Sequence, residues 1–254
     1  MPGFRIGAGT LLALFVVATV STSPSRQAFF ETASFDWLAG LRAQFPAIRA
    51  EAEKVLEGYQ YLRWSAPNLY QTSQAGCQGQ RATFYLQVYE YPIPCNRARC
   101  PVASSATAAI PGLVTAGVYL LDAHSRILPH TGATNAVLRG HMGLICPPGC
   151  YLRAGDEKRE WAEGEFLVFD DTIEHEAWNE TDQPRAILMF DFFPPHFAEP
   201  QRPAAIQALR SQFLGARDYL CLQASGCENV PGEFSEQNLQ HMRAQVAGHG
   251  LYFA

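Results

Sequence analysis

Apolar residues recur at three- and four-residue steps from Phe35 to Leu56, through Leu38, Leu41, Phe45, Ile48, Ala52 and Val55. That period puts them on one face of an amphipathic helix. Pro46 lies inside the pattern and predicts a break or kink there, and Gly58 is a natural stop. Residues 59 to 81 carry no period and predict a loop. Beyond Thr83 the texture changes to short runs rich in β-branched and aromatic residues. Strands are expected at 84–89, 117–121, 136–144, 150–153, 165–169, 175–178 and 186–192. Turn signals divide them: Pro147-Pro148-Gly149, Ala154-Gly155-Asp156, Glu163-Gly164 and Asp182-Gln183-Pro184. Many short strands with regular turns predict a mainly β fold, a sandwich or jelly roll, rather than βαβ units. Helical texture returns at Pro203 to Phe213 and at Ser235 to Val246. No internal repeat interrupts this plan.

The N-terminus reads differently. A basic start at Arg5 precedes an almost wholly apolar run, Ala8 to Val20, and then polar Ser21-Thr22-Ser23-Pro24. The run is shorter than the roughly 20 residues of a membrane span and suits a signal peptide, with an uncleaved signal anchor as the alternative. The expected address is the secretory pathway (endoplasmic reticulum or Golgi lumen) or secretion, with membrane contact only through such an anchor. The expected organisation is a leader at 1–23, a helical lead and loop at 35–82, and a strand-rich body with C-terminal helices at 83–254.

Composition agrees with one folded domain of 254 residues, 48% hydrophobic and 17% charged. The net charge of -5 and the lack of any basic run exclude a nucleic-acid partner as an expectation. Six of the seven cysteines fall in close pairs, Cys95/Cys100, Cys146/Cys150 and Cys221/Cys227, leaving Cys77 over. In an oxidising compartment the simplest expectation is local disulfides. Their spacing is not that of a zinc site.

Three of the histidines in the strand-rich half are candidates: His130, His141 and His175. Strands distant in sequence meet across a jelly-roll mouth, so two neutral imidazoles there can share a metal. The common non-haem iron site adds a carboxylate two residues after the first histidine. Here that residue is Gly132. Spacing alone therefore leaves the histidines open between a metal site and core residues. Arg139, two residues before His141 and so on the same strand face, and Arg185 both lie in otherwise apolar strands. An inward guanidinium there suits a carboxylate, which it grips through two parallel hydrogen bonds.

Several stretches resemble one family. They are Cys95-Asn96-Arg97-Ala98-Arg99-Cys100-Pro101, Ile110-Pro111-Gly112-Leu113, Pro129-His130-Thr131-Gly132-Ala133-Thr134-Asn135 and Leu138-Arg139-Gly140-His141-Met142-Gly143-Leu144. Trp161-Ala162-Glu163-Gly164-Glu165 and the run from Phe169 to Asn179 continue the series. In this order, over roughly residues 84 to 200, they resemble the aspartyl/asparaginyl β-hydroxylase family. The resemblance implies a double-stranded β-helix (a cupin-like jelly roll) with flanking helices, working with Fe(II), 2-oxoglutarate and O2. It implies iron ligation by His130 and His175 alone, with Gly132 at the place of the usual carboxylate. It implies cosubstrate binding by Arg139, His141 and Arg185. Where the family carries a cosubstrate-contacting serine, this chain has Tyr119, which can still hydrogen-bond a carboxylate but is bulkier.

The implied partner is a protein or peptide containing Asp or Asn, such as an EGF-like module, hydroxylated at the β-carbon. The same chemistry on a lipid acyl chain or a small aspartyl compound is the alternative, since no helical repeat precedes the strand-rich body. A non-catalytic secretory binding module and a zinc hydrolase are readings of another class, the latter without an H-E-x-x-H motif. Asp170 and Asp171 are expected to shape a turn, Glu174 and Glu176 to point away from His175, and Trp161 and Trp178 to form core or pocket wall.

Overall fold

The computed structural model describes residues 27–58, 62–63, 77–79, 81–132, 134–197 and 199–214. The expected leader, the Cys221/Cys227 pair, the helix at 235–246 and most of the 59–81 loop lie outside the described residues, as do the side chains of Cys77 and Cys95. In chain order the elements are β1 (Phe29–Phe30), α1 (Leu38–Ala43), α2 (Phe45–Gly58), β2 (Leu62–Arg63), β3 (Cys77–Gln78), β4 (Arg81–Val88) and β5 (Tyr91–Pro92). Then come α3 (Pro94–Arg99), α4 (Pro101–Ala108), β6 (Leu113–Leu121), β7 (Arg126–His130), β8 (Leu138–Ile145), β9 (Cys150–Ala154) and β10 (Glu157–Glu160). The series ends with β11 (Phe166–Phe169), β12 (His175–Asn179), β13 (Arg185–Phe192) and α5 (Arg202–Leu214).

Two antiparallel sheets face each other. The larger runs β1-β11-β8-β13-β6-β4-β2, with β5 on β4, and the smaller runs β10-β9-β12-β7-β3. From β6 to β13 the chain visits larger, smaller, larger, smaller, smaller, larger, smaller, larger. That alternation is the winding of a double-stranded β-helix, the fold the sequence implied. The strand β13 is buried along its whole length, because it has β8 and β6 as neighbours and layers on both faces. Its apolar run from Ala186 to Phe190 follows from that position.

The helical lead covers the outer face of the larger sheet. The predicted break is real: α1 ends at Gln44, and Pro46 sits in the first turn of α2, where its missing N–H costs nothing. Ile48, Ala52 and Val55 are buried at successive turns of α2 and pack with Leu86, Val118 and Leu188. Each large side chain so buried contributes about 1.5–3 kcal/mol. The sequence gives no hint of α3 and α4. Each opens with a proline, and the N-terminus of α4 is capped from far away, Glu51 accepting from the Val102 and Ala103 amides at 2.8 and 2.9 Å. Strand β10 was also unforeseen, since Glu157-Lys158-Arg159-Glu160 has no apolar face; its backbone pairing with β9 on the sheet edge makes it a strand.

Two of the expected disulfides are absent. Cys100, Cys146 and Cys150 are free thiols. Cys100 lies just past the end of α3, at its C-cap, and its side chain is fully buried. Cys146 and Cys150 flank the turn that carries the chain from one sheet to the other. The Cys146 sulfur faces the Ala186 carbonyl at 3.9 Å, and the Cys150 thiol donates to Asn179 Oδ1 at 3.3 Å. Among the described residues no helix is long and apolar enough to cross a membrane.

Candidate active site

Between the sheets a cleft of about 550 Å3, part of it open to solvent, is lined by His130, His141, His175, Arg139, Arg185 and Tyr119. All six residues singled out from the sequence therefore meet in one place. Arg81, Thr83, Ile127, Leu152, Trp161 and Phe169 complete much of its wall. Arg81 and Thr83 belong to β4, whose register next to β6 brings them in; no sequence spacing pointed to them.

His130 ends β7 and His175 begins β12, and the two are direct cross-strand partners. Their ring centroids are 4.2 Å apart with the planes at 54°. Each Nδ1 faces a backbone carbonyl, Leu128 at 2.8 Å and Ile173 at 2.9 Å. A carbonyl only accepts, so each Nδ1 carries the proton and each lone pair is on Nε2. That is the tautomer a metal requires. Burial lowers the His130 pKa to about 4, with Arg139 and Arg81 adding to the effect against the Leu128 bond. Burial likewise depresses His175, helped by the neighbouring His130 and Arg139. Both rings are therefore neutral at physiological pH. Among the described residues no group of three or more His, Cys, Asp or Glu side chains is placed to hold an ion. Among the described residues the site therefore offers two imidazoles and no third protein ligand.

Arg139 and His141 project from β8 on the same face, as their two-residue spacing predicted. Most of the Arg139 fork is already committed: Nε and Nη2 donate to Asp191 at 2.8 and 3.0 Å, and Nη2 lies 3.2 Å from Asp171. Although burial opposes its charge, these two carboxylates hold it firmly protonated. Arg139 therefore reaches a bound ligand chiefly through Nη1, a narrower part than the full fork expected. Arg185 is 2% exposed, and its guanidinium lies 4.4 Å from the centroid of the Trp161 ring. Burial, reinforced by Arg139 and Arg185, keeps His141 neutral. Tyr119 meets Tyr85 edge-on at 5.6 Å, beside the cleft.

Asp171 does more than shape a turn. Asp170 does shape one, accepting from the Thr172 amide and hydroxyl. Asp171 instead turns inward, 3% exposed, between Gly132 and Arg139. Burial raises its pKa although Arg139 opposes the rise. The signal was the glycine at 132, which vacates the volume that Asp171 fills. Glu176 points away from His175, as expected, and pairs on the outer face with Arg126 and Arg153. Trp161 is pocket wall, but Trp178 is not. It stands half-buried on the outer face of the smaller sheet, under Arg126 and beside Tyr151. The β12 alternation that turns His175 inward turns Trp178 outward.

Residues 42–195 match the sequence model of a family described as aspartyl/asparaginyl beta-hydroxylase. An ornithine lipid ester-linked acyl 2-hydroxylase of Rhizobium tropici is 37% identical over 174 residues, covering 65% of this chain and 60% of its own. The aspartyl/asparaginyl beta-hydroxylase of Mus musculus is 43% identical over 79 residues, 31% of this chain and 11% of its own. Aspartate beta-hydroxylase domain-containing protein 2 of Xenopus tropicalis is 31% identical over 186 residues, 70% of this chain and 48% of its own. The chain thus spans 60% or less of each of these relatives.

Proposed function

The chain belongs to the aspartyl/asparaginyl beta-hydroxylase family, and on that premise we propose that it hydroxylates an aliphatic carbon using Fe(II), 2-oxoglutarate and O2. The observation that carries this reading is the His130/His175 pair, two neutral rings 4.2 Å apart with both Nδ1 atoms tied to backbone. The donor set fits iron: imidazole suits it, and a two-ligand site keeps positions open for cosubstrate and dioxygen. His130 and His175 would hold the ion through Nε2. Bound there with its cosubstrate, iron supplies oxidative attack on an unactivated C–H bond.

The residues of the chain do the rest. Arg185 grips the distal carboxylate of 2-oxoglutarate, a charge-assisted contact made by a buried guanidinium. His141, with its buried Nδ1 lacking a hydrogen-bond partner, offers a further polar contact. Arg139, fixed by Asp191, holds the Asp171 carboxylate against Gly132, two residues after His130. Ile127, Leu152 and Phe169 exclude water, which protects the reaction from side paths.

For the substrate, peptidyl Asp or Asn in a secreted protein is the first reading, and the resemblance around His130 and His175 supports it. The lumen of the secretory pathway belongs to the same proposal and rests on the apolar run at 8–20. An acyl chain is the second reading, favoured by the longer match to the Rhizobium tropici lipid hydroxylase. The test is succinate formation from 2-oxoglutarate with Fe(II), with mass spectrometry for a +16 product on EGF-like peptides and on ornithine lipid in parallel. A +16 product dependent on iron and 2-oxoglutarate is expected on one of them, lost in His175→Ala. Undiminished turnover in that variant would remove His175 from the ligand set.

A further inference from the structure

Trp161 is 3% exposed and lines the cleft, yet its indole N–H has no hydrogen-bond partner. An indole nitrogen can only donate, and a buried donor without an acceptor is costly. The wall holding it is closely built. The Trp161 amide donates to the Cys150 carbonyl at 3.2 Å, and the next residues are tied to β8 through Gly164 N–H to Gly143 O and Gly143 N–H to Glu165 O, at 2.9 and 3.0 Å. Gly143 must be glycine for this, since a Cβ there would lie 2.2 Å from the Ala162 carbonyl oxygen. The loop is thus laid flat against the sheet, and the indole it carries sits under the Arg185 guanidinium, 4.4 Å away, and 5.8 Å from the His141 ring.

We propose that Trp161 is a cosubstrate-binding residue: its ring face carries the Arg185 guanidinium, and its N–H donates to the distal carboxylate of 2-oxoglutarate. On the 2-oxoglutarate reading the distal carboxylate lies at Arg185, and a carboxylate has two oxygens, so one can meet the guanidinium while the other accepts from the indole N–H. The inference rests on the 2-oxoglutarate reading above and deepens it by assigning this residue to the far end of the cosubstrate.

The test is calorimetric binding to the full chain loaded with Zn(II), a redox-inert ion, using 2-oxoglutarate and pyruvate. Pyruvate keeps the 2-oxo acid end and lacks the distal carboxylate. Trp161→Phe retains a ring and removes the N–H. Its affinity for 2-oxoglutarate is expected to fall roughly ten- to a hundredfold, the size of one charge-assisted hydrogen bond, with pyruvate unchanged. Trp161→Leu also removes the platform and should weaken 2-oxoglutarate further. Unchanged 2-oxoglutarate affinity in Trp161→Phe, or an equal loss for pyruvate, overturns the assignment alone. A wild-type chain that takes up Zn(II) but binds no 2-oxoglutarate overturns the functional reading along with it. Should Trp161→Phe fail to fold, the indole 15N–1H resonance of Trp161 in the wild-type chain decides. A downfield shift with 2-oxoglutarate and not with pyruvate supports the contact; a stationary resonance overturns it.

Discussion

Asp171 fills the space that a side chain on Gly132 would need: a Cβ built there would lie 2.3 Å from the Asp171 carboxylate carbon. The Gly132 amide also donates to the Asp171 carbonyl at 2.6 Å. The volume a side chain at 132 would need is thus taken by a carboxylate from the loop after β11. Its Oδ1 has no hydrogen-bond partner, and its Oδ2 meets Arg139. Gly132→Ala should overpack this contact at a cost of about 1–3 kcal/mol. Thermal denaturation of Gly132→Ala and of Gly132→Ala/Asp171→Gly is the check. The double variant should melt higher than the single one; equal melting would show that the carboxylate is not what keeps 132 a glycine.

Asp191 holds Arg139 through two hydrogen bonds in a buried setting. Removing one partner of such a pair leaves a charge uncompensated, at a cost of about 3–5 kcal/mol. Asp191→Ala should therefore lose stability on that scale in denaturant unfolding. A loss under about 1 kcal/mol would mean that Asp171 alone suffices to neutralise the guanidinium.

Arg185→Ala should raise the 2-oxoglutarate KM at least tenfold while changing kcat less, because the contact serves binding. Arg185→Lys should recover little, since an ammonium has neither the fork nor the flat face that stacks on Trp161. Steady-state kinetics with varied 2-oxoglutarate read this directly. An unchanged KM in Arg185→Ala would place the distal carboxylate elsewhere.

The depressed histidines set a pH window. His130 titrates at about 4 in the fold against an ordinary 6.5, so the unfolded chain binds this proton more readily. The stability of the neutral ring is present above 6.5 and is lost as pH falls toward 4. One unit is worth about 1.4 kcal/mol, so His130 alone contributes roughly 3 kcal/mol across the window. His175 and His141 shift in the same direction. In chelator-treated protein the melting temperature should drop between those limits, and His130→Phe should flatten the slope. A melting temperature constant across that range would contradict the burial that isolates these rings.

Much of this was legible in the chain because it is local. Period and turn residues placed seven strands, both pieces of the helical lead with their break near Pro46, and α5. The two-residue step put Arg139 and His141 on one face. Helices α3 and α4 were not legible, because the cap on α4 comes from Glu51, about fifty residues away, and β10 exists only through its neighbour's backbone. Trp178 was misplaced although the same two-residue step, counted from His175, sends it outward.

What the sequence determined by itself is the set of local preferences: the strand texture, the motif order from His130 to Trp178, and a glycine where a carboxylate is usual. Only the tertiary structure decided that His130 and His175 become cross-strand partners, that Asp171 takes the volume Gly132 gives up, that Arg139 is mostly spent on Asp191, and that Arg185 lies over Trp161. The reason is physical. A residue's spacing fixes the face it occupies on its own strand, while its partner across the cleft is set by sheet order and register, which arise when separate stretches of chain bury their apolar faces together.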